Sequence, residues 1–369
     1  LAKKGHWAVG RDIRGYIHDY NPAAADIYRV NTSTGERTLM LSNHLTGSGL
    51  LGFSVDGDYY LYWKDEKIHA YDLNEGNSRL LGGEGAPSFI NVEDDHAGPK
   101  PSYGIAGYTA DGEAAIARTR YDLWVLPLDG SDARNLTNGE GANNEIRFRY
   151  VELDPEDEPA GGRRRGSSPR SIDLSEPLIL SAYGQWTKKA GFYKLDQGRL
   201  SEIVFEDARF SNPTKAKEAD AFLLTRQTFT EFPDLRVSGP DFGVSTKITD
   251  ANPQQEEFLW GHRVLFDFEN NDGVRLQGIL TLPDDYQPGE KRPMLVTFYE
   301  KSSQNLHRHT APSYLTGMGS SPIQAVSEGY LTMLPDIHFR TGASHSDMLE
   351  CVEAAVQKAV SYTHLTLPT

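Results

Sequence analysis

The feature that most constrains this chain is a short theme repeated five times in its first 260 residues: a strand-like run, a polar turn containing glycine, and a second strand-like run. The copies are ADIYRVNTSTGERTLML from Ala25, KIHAYDLNEGNSRLL from Lys67, YDLWVLPLDGSDARNLT from Tyr121, AGFYKLDQGRLSEIV from Ala190 and PDLRVSGPDFGVSTKIT from Pro233. Apolar and polar residues alternate on both sides of each turn, which is the period of a half-buried strand. A glycine-bearing turn between two such runs signals a β-hairpin. Further strand pairs meet at Asp-Gly turns, in LLGFSVDGDYYLYWKD from Leu50 and SYGIAGYTADGEAAIARTR from Ser102. Strand–DG–strand followed by strand–turn–strand gives four strands per unit. The starts recur about every 40 to 70 residues, which brackets the repeat of a propeller blade. The region therefore reads as mainly β, a partial β-propeller of about five blade-like units over 1–260. A β-sandwich is the alternative; its strands also alternate but rarely repeat one hairpin five times.

Composition narrows the function. Against 37 Lys and Arg stand 52 Asp and Glu, a net charge of -15, which disfavours nucleic acid and anionic membrane as partners. No run approaches the roughly 20 apolar residues of a membrane span. The single cysteine, Cys351, builds no internal disulfide and is expected in the core. The run 154–168, DPEDEPAGGRRRGSS, reads as a solvated loop between strands, because its charges are not interleaved with aromatics. The chain starts at Leu1, so the true N-terminus, and any targeting segment with it, is expected to lie outside it, and the compartment stays open between periplasm and cytoplasm.

Past Trp260 the pattern changes. Phe266 to Glu269 and Val274 to Leu282 flank Asn270-Asn271-Asp272-Gly273, a type I′ hairpin signal. Met294 to Phe298 and Leu331 to Leu334 are continuously apolar, as strands buried on both faces are. A helix follows, with Met348, Leu349, Val352, Ala355, Val356 and Ala359 on one side and Asp347 and Glu350 as its N-terminal cap pair. Hairpin, buried strands and then strand-to-helix is how an α/β-hydrolase sheet begins. The segment 261–360 is expected to be the incomplete start of such a domain.

Specific motifs carry a resemblance. FTEFPDL from Phe229, DANPQQ from Asp250, DGVRLQGILTLP from Asp272 and FYEKSSQNLHR from Phe298 resemble the prolyl oligopeptidase family (S9) of serine peptidases. The likeness runs from about Gly107 onward and is strongest from Phe229 to Asp336. It implies a propeller joined to an α/β-hydrolase domain, peptide substrates, acyl-enzyme chemistry and no cofactor or metal. It also implies that Tyr299, directly after an apolar strand, donates its hydroxyl to an oxyanion hole, although Glu300 replaces the glycine that often follows. The family's nucleophile lies in G-x-S-x-G-G, which the glycines let turn sharply between strand and helix. This sequence has no G-x-S-x-G. Gly342-Ala-Ser344-His-Ser346 is the nearest approach, and it reads as a loop leading into a helix. His307, His309, His338 and His345 lack a familiar carboxylate spacing and are not taken as metal ligands. The last nine residues, SYTHLTLPT (361–369), are similar to a translated sequencing-adapter tail, so natural sequence is expected to end near Val360. The resulting expectation is part of a serine peptidase, inactive by itself because the triad is absent. A non-catalytic binding propeller, or an esterase or acyl-peptide hydrolase on the same scaffold, are the alternatives.

Overall fold

The computed structural model describes residues 5–18, 23–96, 98–153, 169–211, 213–239, 242–312 and 322–364. The charged run 154–168 lies outside the described residues, as does the end of the tail, 365–369. Among the described residues strands dominate, and they form six sheets. Strands β1 (Trp7–Asp12), β2 (Ala24–Asn31) and β3 (Arg37–Leu45) make the first, an antiparallel meander. The second runs β4 (Leu50–Phe53), β5 (Tyr59–Lys64), β6 (Lys67–Asp72) and β7 (Asn77–Leu80), each paired with its sequence neighbour. The third contains β8 (Ile105–Thr109), β9 (Ala114–Arg118), β10 (Leu123–Pro127) and β11 (Arg134–Asn135); after helix α1 (Glu140–Asn144) and strand β12 (Ile146–Tyr150), β13 (Ser171–Ile172) adds to it parallel to β8. The fourth orders β12, β14 (Leu178–Gly184), β15 (Ala190–Asp196) and β16 (Arg199–Glu206). The fifth holds β17 (Arg209–Phe210), β18 (Thr214–Lys215), β19 (Phe222–Gln227), β20 (Asp234–Ser238) and β21 (Ser245–Lys247).

All five repeated hairpins form where the alternation places them: β2–β3, β6–β7, β10–β11, β15–β16 and β20–β21. The two Asp-Gly turns share one hydrogen-bonding scheme. Ser54 Oγ donates to Asp56 at 2.5 Å and accepts from Tyr59 N–H at 3.0 Å. Thr109 Oγ1 donates to Asp111 at 2.5 Å and accepts from Ala114 N–H at 3.0 Å. Gly57 and Gly112 close these turns at φ 83° and 78°, a conformation that only glycine adopts without a steric cost.

Packing divides the chain into two compact units. The first gathers Leu1–Glu152, Glu156–Ala182 and Phe192–Glu202; the second gathers Leu153–Pro155, Tyr183–Gly191 and Ile203–Thr369. In the first, alternate residues of successive sheets face one another. Ala25, Ile27 and Leu41 meet Tyr60, Tyr62 and Tyr71, while Leu61, Trp63 and Ile68 meet Tyr108, Ala115, Ala117 and Leu126. Sheet faces with this alternation must be covered on their apolar side, and stacking the sheets covers them.

The second unit holds a mixed sheet. Strands β22 (His262–Glu269) and β23 (Arg275–Leu282) form the expected hairpin, with β24 (Met294–Val296) and β25 (Leu331–Pro335) completing the order β22–β23–β25–β24. β25 is antiparallel to β23 and parallel to β24. Helix α2 (Pro322–Ser327) lies on the crossover between β24 and β25, and α3 (Ser344–His364) follows β25. Gly278 lets the Phe266 ring lie flat on β23, since a Cβ there would stand 2.4 Å from that ring.

Three local expectations are corrected. A type I′ turn needs positive φ at both central residues, but neither Asn271 nor Asp272 has it; only Gly273 does, at 74°. The four-residue turn Asn270–Gly273 closes through Gly273 N–H to Asn270 O at 3.0 Å. Helix α3 starts at Ser344, so Asp347 lies inside its first turn instead of capping it. Asp347 accepts the backbone N–H and the guanidinium of Arg340, at 2.9 and 2.8 Å, which holds its carboxyl well below the usual carboxylate range. The buried face of α3 is Cys351, Ala355 and Ala359 flanked by Met348, Val352 and Val356, while Leu349 is exposed. Small residues on that stripe let the helix lie close to the sheet. The helix runs on to His364, past Val360, near which the natural sequence is expected to end. Among the described residues, no helix is long and apolar enough to cross a membrane.

Candidate functional site

In the parallel pair β24–β25, both C-terminal ends emerge on one side, and the two loops that follow are laced together. Thr297 N–H donates to Met333 O and Ile337 N–H donates to Glu300 O, each at 3.0 Å. Asp336, the first residue after β25, is 6% exposed. Its carboxylate accepts Ser302 N–H at 2.6 Å, Ser303 N–H at 2.7 Å and Ser303 Oγ–H at 2.6 Å. A buried carboxylate with three donors is well compensated, and it fixes the loop that donates to it. Tyr299 sits within this clamped segment, one residue before the Glu300 carbonyl. Its side chain is 79% exposed, so the backbone is held while the phenol ring stands free of the core.

A turn from the hairpin β14–β15 joins the same unit. Trp186 O accepts from Gln277 Nε2 at 2.9 Å, and the Arg275 guanidinium lies 3.8 Å from the Trp186 ring centroid. Lys188, at φ 61°, is 3% exposed and donates to Gln185 O at 2.6 Å. Burial pushes its ammonium down to about 8, and Asp336 is the strongest charge opposing that shift. Sequence reasoning missed both Lys188 and Asp336. Asp336 carries a faint signal as the polar residue ending the run GYLTMLP; Lys188 carries none.

The motifs that bear the family resemblance meet in space. Trp260 Nε1–H donates to Phe229 O at 2.9 Å, and Arg263 lies 4.0 Å over the Phe229 ring. Arg263 also donates to Asn305 O at 2.6 Å, anchoring the turn that follows Ser302 and Ser303. Gln255 donates to Thr230 O at 2.7 Å and contacts His309 Nε2 at 3.0 Å. The His309 ring stacks on Trp260 with centroids 5.2 Å apart. Residues of FTEFPDL and DANPQQ and the segment 305–309 thus pack around Trp260 and Arg263.

The other candidate residues are dispersed. His307 faces Asp207 at 3.9 Å, away from the partners of His309, and burial pushes its imidazole down. The carbonyl of His338 accepts from Cys351 Sγ at 3.4 Å; His345 is exposed. Among the described residues, no three His, Cys, Asp or Glu converge as a metal site. Ser344 is the exposed first residue of α3, and no hydrogen bond joins it to a histidine among the described residues. Cys351 is buried, and burial pushes its thiol up.

No protein-family model matches the chain, and no curated protein does. Solved structures do. Dipeptidyl peptidase 4 of Porphyromonas gingivalis superposes with a TM-score of 0.59 at 11% identity, over 91% of this chain and 47% of that one. A putative dipeptidyl aminopeptidase IV of Bacteroides ovatus gives 0.56 at 13% identity, over 92% of this chain and 50% of that one. Prolyl oligopeptidase B of Galerina marginata, solved bound to a 35mer hydrolysis and macrocyclization substrate, gives 0.52 at 13% identity, over 99% and 49%. The chain spans about half the length of each of these structures. At such identity the likeness is one of fold: this chain is mainly β, with several sheets arranged as in those structures.

Proposed function

We propose that this chain is part of a propeller-capped serine peptidase of the prolyl oligopeptidase family. Residues 1–260 would supply a partial β-propeller, 261–360 the start of an α/β-hydrolase domain, and 361–369 a non-native tail. One observation carries the reading: Tyr299 is exposed on a clamped backbone at the C-terminal end of β24, on a sheet ordered β22–β23–β25–β24 with β24 parallel to β25. In open α/β sheets, ligands bind outside the carboxyl ends of the strands.

In the intact enzyme, a serine oxygen attacks the peptide carbonyl, a histidine takes the serine proton and returns it to the leaving amine, and an aspartate orients that histidine. The Tyr299 hydroxyl donates to the oxygen of the tetrahedral intermediate, a contribution of about 3 kcal/mol to the barrier. Asp336 holds the loop that aims it. We assign no member of the triad to residues 1–369 and expect these residues alone to be inactive.

Two measurements test this. The gene should continue in frame past codon 360 into a G-x-S-x-G-G segment; an uninterrupted frame without one sinks the assignment. Purified 1–369 should take up no fluorophosphonate serine probe, and stoichiometric labelling at any serine would place a nucleophile where we assign none.

A further inference from the structure

The loop that carries Tyr299 runs into a single 3₁₀ turn, Ser303–Asn305, and that turn is gripped at both ends. Within it, Asn305 N–H donates to Ser302 O at 3.0 Å, Leu306 N–H to Ser303 O at 3.1 Å and Arg308 N–H to Asn305 O at 3.0 Å. A turn wound this way leaves N–H groups bare at its start and carbonyls bare at its end. Asp336 takes the start, through Ser302 N–H and Ser303 N–H. Arg263, on β22, takes the end. Its Nη1 donates to Asn305 O at 2.6 Å, and at longer range to Arg308 O at 3.3 Å and Leu306 O at 3.4 Å. An anion at the start and a cation at the end is the polarity that aligned peptide dipoles favour. Arg263 is itself held from the other side. Its guanidinium carbon lies 4.0 Å from the ring centroid of Phe229, a buried residue whose carbonyl accepts the Trp260 indole N–H at 2.9 Å. His309, just past the turn, donates its N–H to Gln227 Oε1 at 2.9 Å. The end of the turn is therefore tied to residues 227–229, where β19 ends, while its start is tied to the end of β25.

A segment pinned at one end can pivot about that point; pinned at both ends, it keeps one orientation. The bond from Ile337 N–H to Glu300 O passes the constraint back to the residue after Tyr299. We propose that Arg263 is a positioning residue for Tyr299: with Asp336 it fixes the turn at its two ends, and so fixes where the backbone bearing the phenol stands. The consequence for catalysis rests on the peptidase reading; the two-ended anchor does not. An oxyanion donor acts only when it lies within hydrogen-bond distance of the developing charge, and a misplacement of about 1 Å costs about a hundredfold in rate.

The first arm of the test is amide hydrogen exchange in the full 369-residue chain. Arg263→Met should speed exchange about tenfold at Ser302, Ser303 and Ile337, whose own acceptors it leaves in place, with little change in β20 and β23. Arg263→Lys keeps a donor but is shorter and cannot lie flat on Phe229, so it should recover part of that protection and leave an acceleration of about threefold. Should Arg263→Met fail to fold, Arg263→Lys carries the test. Exchange unchanged at the three amides, or faster only in step with β20 and β23, overturns the anchor. The second arm is turnover by the intact enzyme. Arg263→Met should lower kcat about tenfold with KM little changed, and should add less than about twofold in the Tyr299→Phe background. Equal losses in both backgrounds overturn action through Tyr299. If Tyr299→Phe alone leaves kcat unchanged, the oxyanion reading falls and takes the catalytic role of Arg263 with it, while the exchange arm judges the anchor by itself.

Discussion

The sheets β4–β7 and β22–β23–β25–β24 both have four strands, but they are built on opposite plans. In the first, every strand pairs antiparallel with its neighbour in sequence, and the whole sheet closes within Leu50 to Leu80. In the second, β24 and β25 run parallel, with residues 297–330 between them, and β24 is an edge strand. Antiparallel neighbours need only tight turns, so both ends of the first sheet are occupied by hairpin loops such as Ser54–Tyr59. A parallel pair needs a long crossover, and its reward is two C-terminal ends side by side, free to gather loops. The difference teaches where chemistry can be mounted: the meander is scaffold, while the parallel pair presents Tyr299 and the Asp336 clamp.

The same contrast explains what was legible in the sequence. Period-2 alternation and glycine turns are local signals, so all five repeated hairpins could be read directly, as could β22–β23 and the apolar strands β24 and β25. Hydrophobicity alone points Leu349 to the buried face, yet it is exposed. Close approach of α3 to the sheet instead selects Cys351, Ala355 and Ala359. Asp347 looked like a cap because its spacing to Glu350 fits one, but Arg340 claims it. Of the candidate site, Tyr299 was reachable through its motif. The partnership of Lys188 with Asp336, 148 positions apart by their numbers, depends on folding and leaves no local trace.

The largest expected effect tests the scaffold half of the contrast. Leu61 is fully buried among residues of two stacked sheets. Leu61→Ala should cost about 4 kcal/mol, the sum of lost transfer free energy and the cavity left behind. Urea unfolding followed by the emission of the chain's five tryptophans, Trp63 among them in this core, measures it. A loss under about 1.5 kcal/mol would mean that the meander does not draw its stability from the inter-sheet core.

Next comes the clamp. Asp336→Ala leaves the amides of Ser302 and Ser303 and the Ser303 hydroxyl without their acceptor, at a cost of about 3 kcal/mol to the second unit. Amide hydrogen exchange should accelerate at Ser302 and Ser303 before it changes in β22 and β23. Uniform acceleration across the sheet would show that Asp336 is an ordinary core contact and not a device holding one loop.

Lys188 has the opposite sign. Its folded-state value of about 8 lies below the ordinary 10.5, so folding disfavours the ammonium. Below pH 8 the group is protonated in both states, and the full cost of about 3 kcal/mol is present. Between pH 8 and 10.5 the unfolded chain keeps a proton that the folded chain has released, so stability rises with pH, and above 10.5 the cost is gone. Lys188→Met should therefore stabilise the second unit by about 2 kcal/mol at pH 7, after allowing for the lost bond to Gln185, and the gain over wild type should vanish by pH 10.5. A pH-independent difference between variant and wild type would refute the buried-ammonium account.

The smallest effect separates site from scaffold most cleanly. Tyr299 is 79% exposed, so Tyr299→Phe removes an oxygen that packs against little. Its effect on unfolding free energy should stay within about 0.5 kcal/mol, the usual range for surface changes. If the proposed function is right, the same substitution in the intact enzyme should lower kcat about a hundredfold with KM little changed, because the hydroxyl acts on charge that develops only in the transition state. A stability loss above 1 kcal/mol would mark Tyr299 as a packing residue. An unchanged kcat would remove it from the oxyanion hole and leave the loops of β24 and β25 as architecture alone.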